Sequence, residues 1–143
     1  LEIRGMLREV TEIESIGDSC YNLARTVNRK RTGGNDFTEK QYEHIHQMMQ
    51  LTENALKHMV AIVEDDAHVV DVNHSFNIEN EMNNYRSQLK NQNILDVNNK
   101  EYDYQMGVHY MDLIGECEKL GDYVVNVVEA RTNVKEKKTN ENR

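Results

Sequence analysis

The sequence predicts an all-α fold, an antiparallel up-down bundle of four long helices, and three observations carry that prediction. The chain contains no proline, the residue that most strongly interrupts a helix. Its only glycine doublet is Gly33-Gly34, so a turn-rich β architecture has few places to turn. Apolar residues recur in steps of three and four over most of the length, the period of one helical face. A length of 143 residues fits one domain, and a mean hydropathy of -0.81 restricts the core to a narrow stripe on each helix.

The first helix is expected from about Leu1 to Arg31. Ile3, Met6, Val10, Ile13, Gly17, Cys20, Ala24 and Val27 keep a seven-residue rhythm, which predicts a seam packed against neighbouring helices. Lys30 and Arg31, then Gly33-Gly34, supply a cationic last turn and a glycine stop. A connection over residues 32–37 follows. Thr38 opens the second helix: its hydroxyl can cap while Gln41 reaches back, and Phe37 and Tyr42 stand where a hydrophobic staple forms. The seam of this helix is Ile45, Met49, Thr52, Leu56, Met59 and Val63, and the Met48-Met49 pair reads as core filling.

Glu64-Asp65-Asp66 breaks the rhythm, and Asp66 is the expected cap of a third helix carrying Val69, Val72, Phe76, Ile78, Met82, Tyr85 and Leu89. Leu95 to Asn99 reads as the next loop, with Asn98 and Glu101 as the capping box of a final helix through about Arg131. Residues 134–143 are rich in Lys, Glu and Asn and read as a flexible polar tail. Each helix would run roughly 40 to 50 Å at about 1.5 Å per residue, and short links would alternate their directions.

Seventeen basic against 25 acidic residues give a net charge of -8. That balance repels phosphate backbones and anionic lipid surfaces, which argues against nucleic acid as a partner. No segment approaches the roughly 18 to 20 apolar residues of a spanning helix, so direct membrane insertion is not expected, and no signal peptide opens the chain. Helical periodicity begins at Leu1 without a methionine or a cap, so the sequence reads as part of something longer. Cys20 and Cys117 fall on the apolar side of their helices and read as small core residues in a reducing compartment.

A repeated phrase carries the chemistry. Glu12-Ile-Glu14-Ser-Ile-Gly17-Asp18-Ser-Cys-Tyr-Asn22-Leu returns as Glu116-Cys-Glu118-Lys-Leu-Gly121-Asp122-Tyr-Val-Val-Asn126-Val at one constant offset. Four-residue spacing stacks Glu, Asp and Asn one turn apart on each helix. Like charges at that spacing cost roughly 0.2 to 0.5 kcal/mol, and more when partly buried, so a positive partner is expected. Oxygen ladders suit hard or borderline cations where two of them converge; Arg or Lys from a neighbouring helix would serve as well. Asn22 and Asn126 either orient the carboxylates or set register. Gly17 and Gly121, each costing a helix about 0.8 to 1 kcal/mol relative to Ala, predict close approach of a neighbouring backbone.

Other chemistry is absent. Glu43-x-x-His46 has the spacing of a di-iron bundle, but both residues flank the seam and the second motif is missing. No nucleophile triad or phosphate-cradling glycine loop appears, so catalysis is not expected.

These residues resemble the PhoU-type phosphate-transport regulators, and most closely the cytoplasmic C-terminal domain of bacterial sodium/phosphate cotransporters. The pattern is Glu-x-(Ile/Leu)-Gly-Asp-x-x-x-Asn-(Leu/Val), met at Glu14–Leu23 and Glu118–Val127. Tyr110 to Asp122 and Glu79 to Leu89 resemble the cotransporter-linked branch further. The family has two three-helix repeats with the ladder on each closing helix. The resemblance therefore implies a PhoU-like bundle over 1–133, with 1–31 closing a first repeat and 38–132 forming a complete second one. It implies iron or zinc held between the closing-helix ladder and a ladder on the preceding helix, where Ser75 and Glu79 stand here. Glu14, Asp18, Glu118, Asp122 and Glu79 are the expected metal residues. The implied function is a non-catalytic regulatory domain of a sodium-dependent phosphate transporter at the cytoplasmic face of the bacterial inner membrane. Its surface would contact the upstream membrane domain, a signalling protein or a second copy. Two other classes stand beside this reading: a structural dimerisation module whose ladders fix register, and a di-metal carboxylate bundle enzyme.

Overall fold

The computed structural model describes residues 2–32, 36–64 and 72–141, with side chains within 3–132. The described chain is helical: α1 (Glu2–Thr32), α2 (Glu39–Glu64), α3 (Val72–Asn98) and α4 (Tyr104–Glu141). Asp66, Val69 and the Gly33-Gly34 stop lie outside the described residues, and α4 continues past the expected end at Arg131.

Paired side chains fix the helix directions. Arg8 meets Glu129 and Ser19 meets Glu116, so α1 and α4 are antiparallel. His44 meets Tyr110 and Arg131 donates to the Val63 carbonyl, so α2 and α4 are parallel. Tyr85 donates to Gln47 and the rings of His58 and His74 touch, so α2 and α3 are antiparallel. The result is the expected up-down four-helix bundle.

The helices are not equivalent. α4 packs against all three others, whereas the α1 backbone lies against α4 alone, with Lys30 reaching Asp36 and Tyr42 at the turn into α2. Ile114, Val127 and Val128 of α4, Met48 of α2 and Met82 of α3 are completely buried. Each such side chain contributes about 1.5 to 3 kcal/mol by leaving water, so most of the hydrophobic stabilisation sits in α2, α3 and α4.

That asymmetry overturns the expected packing of α1. Its seven-residue apolar seam faces outward, with Ile3 72% and Val10 54% exposed and Met6, Ile13 and Val27 exposed as well. The row that meets α4 is mainly polar: Glu9, Glu12, Ile16, Ser19, Leu23 and Thr26. Periodicity finds a helix's apolar face but does not say what lies opposite it. Here α2, α3 and α4 close their core on one another, and α4 offers α1 hydrogen-bonding groups. Cys20 lies on the outward seam and is exposed, contrary to the core reading, whereas Cys117 is buried.

The α2 start is as expected: Thr38 Oγ1 accepts from the Gln41 amide at 3.1 Å and Gln41 Oε1 accepts from the Thr38 amide at 2.9 Å. Phe37 and Tyr42 meet edge to face. The α2 seam is turned slightly from the expected one, burying Met48 and leaving Met49 40% exposed. At the α3–α4 junction the expected loop is helix. α3 runs to Asn98 and closes with Lys100 in the left-handed region (φ 60). The Glu101 amide reaches back to the Asp96 carbonyl and the Lys100 amide to that of Val97, the paired bonds of a Schellman stop. Asp103, not Asn98, caps α4, its Oδ1 accepting from the Met106 amide at 2.8 Å.

Candidate functional site

The α3–α4 interface collects the second ladder. Glu79 faces Asp122 across it and shares a hydrogen bond with that carboxylate. Desolvation first, then the Asp122 bond and the Asp122 and Glu129 charges, push the Glu79 carboxyl up to about 7; a hydrogen bond from Asn83 opposes them. Burial and the facing carboxylate thus disfavour the charged form of Glu79. One turn before Glu79, the Ser75 hydroxyl is buried without a partner, and the buried Asn83 Oδ1 is likewise unpaired. Glu118 is compensated differently: its Oε2 lies 2.7 Å from Arg86 Nε, off the N–H direction. The anticipated cation from a neighbouring helix is therefore present at the Glu118 rung, while the Asp122 rung is held by a carboxyl partner.

Gly121 stands behind this pair. A Cβ there would meet Met82 Sδ at 2.9 Å and Cε at 3.2 Å, so the close approach is real, although the neighbour is a side chain and not a backbone. A Cβ on Gly17 would meet nothing within 4 Å, which corrects the expectation for the first copy.

The first ladder does not join the second. Glu14 and Asp18 are exposed, nearly opposite the Glu12–Ile16–Ser19 row that touches α4. Among the described residues no three His, Cys, Asp or Glu side chains converge into a set that would hold a metal ion. The five expected ligands thus divide into a solvent-facing pair on α1, the hydrogen-bonded Glu79–Asp122 pair between α3 and α4, and the Arg86-paired Glu118.

The first glutamate of each repeated phrase, passed over in the sequence, makes the cross-helix contact. Glu12 accepts from Asn126 Nδ2 at 3.2 Å, and Glu116 accepts from the Ser19 hydroxyl at 2.8 Å. Asn126 therefore sets register between α4 and α1, one of its two anticipated roles. A signal existed: Glu12, Ser19 and Thr26 share a seven-residue spacing with one another. A second missed group is Tyr110, wholly buried against α2 with His44 Nδ1 at 3.0 Å from its hydroxyl; burial holds its phenol well above the usual tyrosine range.

No helix among the described residues is long and apolar enough to cross a membrane. No curated protein and no solved structure matches the chain. The model of the PhoU domain matches residues 45–130, spanning most of α2, all of α3 and the ladder-bearing part of α4. With the helical bundle and the Glu118–Asp122 ladder of its closing helix in place, the chain belongs to the PhoU domain family, whose members are non-enzymatic regulators of phosphate homeostasis.

Proposed function

We propose that the chain is a regulatory domain of a sodium-dependent phosphate transporter, stationed at the cytoplasmic face of the bacterial inner membrane and acting through a helix surface. The observation that carries this reading is the outward apolar seam of α1. Five large apolar side chains, Ile3, Met6, Val10, Ile13 and Val27, stand exposed at heptad spacing, and a contiguous apolar stripe marks a contact surface. The polar α1–α4 interface supports the same reading, because it holds the helix with that seam turned outward. In this account α1 is the closing helix of one repeat, α2–α4 form the next, and the seam is covered by the transporter's upstream part or by a signalling protein.

The test is sodium-driven phosphate uptake by the full transporter carrying Val10→Lys/Ile13→Lys. Both positions are exposed, so the fold should survive, and uptake should lose its response to external phosphate at unchanged transporter level. A response identical to wild type across the phosphate range would refute the contact role. Concentration-dependent mass of the isolated chain, abolished by the same double variant, would assign the seam to a second copy, as in the dimerisation reading.

A metal-dependent version draws support from one place. Glu79 and Asp122, with the unpartnered Ser75 hydroxyl and Asn83 Oδ1 nearby, form an oxygen-only donor set suited to iron or zinc in its carboxylate part. Glu14 and Asp18 would require a partner outside the described residues. Elemental analysis of protein purified without chelator, beside Glu79→Ala/Asp122→Ala, decides this: an equivalent of metal lost in the variant supports the site, and metal-free wild type removes it.

A further inference from the structure

An open cleft of about 420 Å³ between α1, α3 and α4 contrasts with the charge of the whole chain. Arg25 and Arg29 reach it from α1, Arg86 from α3 and Lys119 from α4, four cations gathered in a molecule of net charge -8. Asp112 and Glu116 line it too. Glu116 is already engaged, its Oε1 with Lys119 Nζ at 3.3 Å and its Oε2 with the Ser19 hydroxyl at 2.8 Å. Arg86 turns its Nε toward Glu118, which leaves its two terminal nitrogens. Arg25 lies over the Tyr21 ring at 5.8 Å, and among the described residues neither Arg25 nor Arg29 has a carboxylate partner. Gly115 keeps the floor bare: a Cβ there would meet nothing nearer than Arg86 Nε at 4.0 Å.

We propose that this cleft binds a phosphoryl dianion, either free phosphate or the phosphate group of a larger molecule. The guanidinium fork matches pairs of phosphate oxygens, and such charge-assisted bonds are roughly twice as strong as neutral ones. Arg25 and Arg29 stand one turn apart on one rim and Arg86 on the other, so a tetrahedral anion meets donors from both sides. Asp112, which also lines the cleft, can accept from the protonated oxygen of free hydrogen phosphate, a bond that neither sulfate nor the dianion of a phosphate ester offers. Neither Glu79 nor Asp122 lines the cleft, and its cations are independent of the transporter reading.

The test is an NMR titration of the whole chain at fixed ionic strength, with sodium phosphate, sodium sulfate and O-phosphoserine in separate arms. Saturable shifts at the Gly115 amide are expected with phosphate or phosphoserine, with sulfate clearly weaker than free phosphate. Saturation by phosphate assigns the free anion, and saturation by phosphoserine alone assigns a larger phosphorylated ligand. Arg25→Gln/Arg29→Gln, two exposed changes that leave the fold in place, should weaken binding about tenfold or more. Gly115→Leu, which fills the floor, should do the same at unchanged helicity. Non-saturating shifts alike for phosphate and sulfate, or unchanged affinity in both variants, would overturn the proposal.

Discussion

Replacing Glu79 with Gln tests whether Glu79 and Asp122 hold a proton between them. A glutamate in an unfolded chain titrates near 4.5, and in the fold burial and Asp122 raise Glu79 to about 7. Because the folded state binds this proton more tightly, the contribution to stability is fully present below about pH 4.5. It is lost as pH rises through about 7. At about 1.4 kcal/mol per pH unit the displacement corresponds to ~3 kcal/mol. Glu79 is only half-buried, and solvent screening brings the expected effect to about 1 to 2 kcal/mol. Glu79→Gln mimics the protonated acid at every pH, so it should match wild type near pH 5 and exceed its stability by that amount at pH 8. Urea unfolding of both proteins at the two pH values reads the difference. A variant no more stable than wild type at pH 8, or one displaced equally at both, would refute the shared proton.

Opposite signs are expected at the two repeat glycines. Gly17→Ala meets open space and should gain up to about 1 kcal/mol from helix propensity. Gly121→Ala presses on the fully buried Met82 and should lose about 1 to 2 kcal/mol net, which thermal melts of the two variants compare directly. Asp103→Ala should cost about 1 kcal/mol by removing the α4 cap, and Asn98→Ala much less. A thiol reagent at pH 8 should label Cys20 in the folded protein and leave Cys117 untouched, since burial pushes the Cys117 thiol up to about 11; mass spectrometry of the native and unfolded chains counts the labels.

The four-helix architecture was legible because proline-free, period-three-four patterning constrains a chain to helices, and local chemistry named one start correctly at Thr38 and Gln41. Local chemistry also misled. Asn98 and Glu101 have the spacing of a capping box, yet Lys100 adopts the left-handed conformation that ends α3, a position where Gly or Asn is the usual signal. In α1 the seam's rhythm was right and its direction wrong, because which face of a helix is covered depends on what α4 leaves unsatisfied. At the site, the ladder spacing correctly put Glu118 and Asp122 on a contacting face, and the resemblance placed Glu79 opposite. The same spacing could not show that Glu14 and Asp18 point away, since an identical phrase on two helices carries no information about their relative rotation.

The polar contact between α1 and α4 also sets the order in which the molecule opens. The exposed Arg8–Glu129 pair contributes about 1 kcal/mol or less and the carboxylate-accepted Ser19–Glu116 and Asn126–Glu12 bonds about 1.5 to 3 kcal/mol each, whereas the apolar surface of α2, α3 and α4 is shared and opens together. Because α1 adds only Ile16 and Leu23 to the shared apolar core, detachment of α1 from an intact three-helix core is expected ahead of opening of that core. Amides in the middle of α1 should exchange with solvent through that excursion, ahead of those around Ile114 and Val127, and salt should hasten it by weakening Arg8–Glu129 and the ion pair of Arg131 with Glu9 of α1 at 3.7 Å. A cover bound on the exposed seam would act on this same equilibrium, so occupancy of α1 by a partner would register as slowed exchange along the helix.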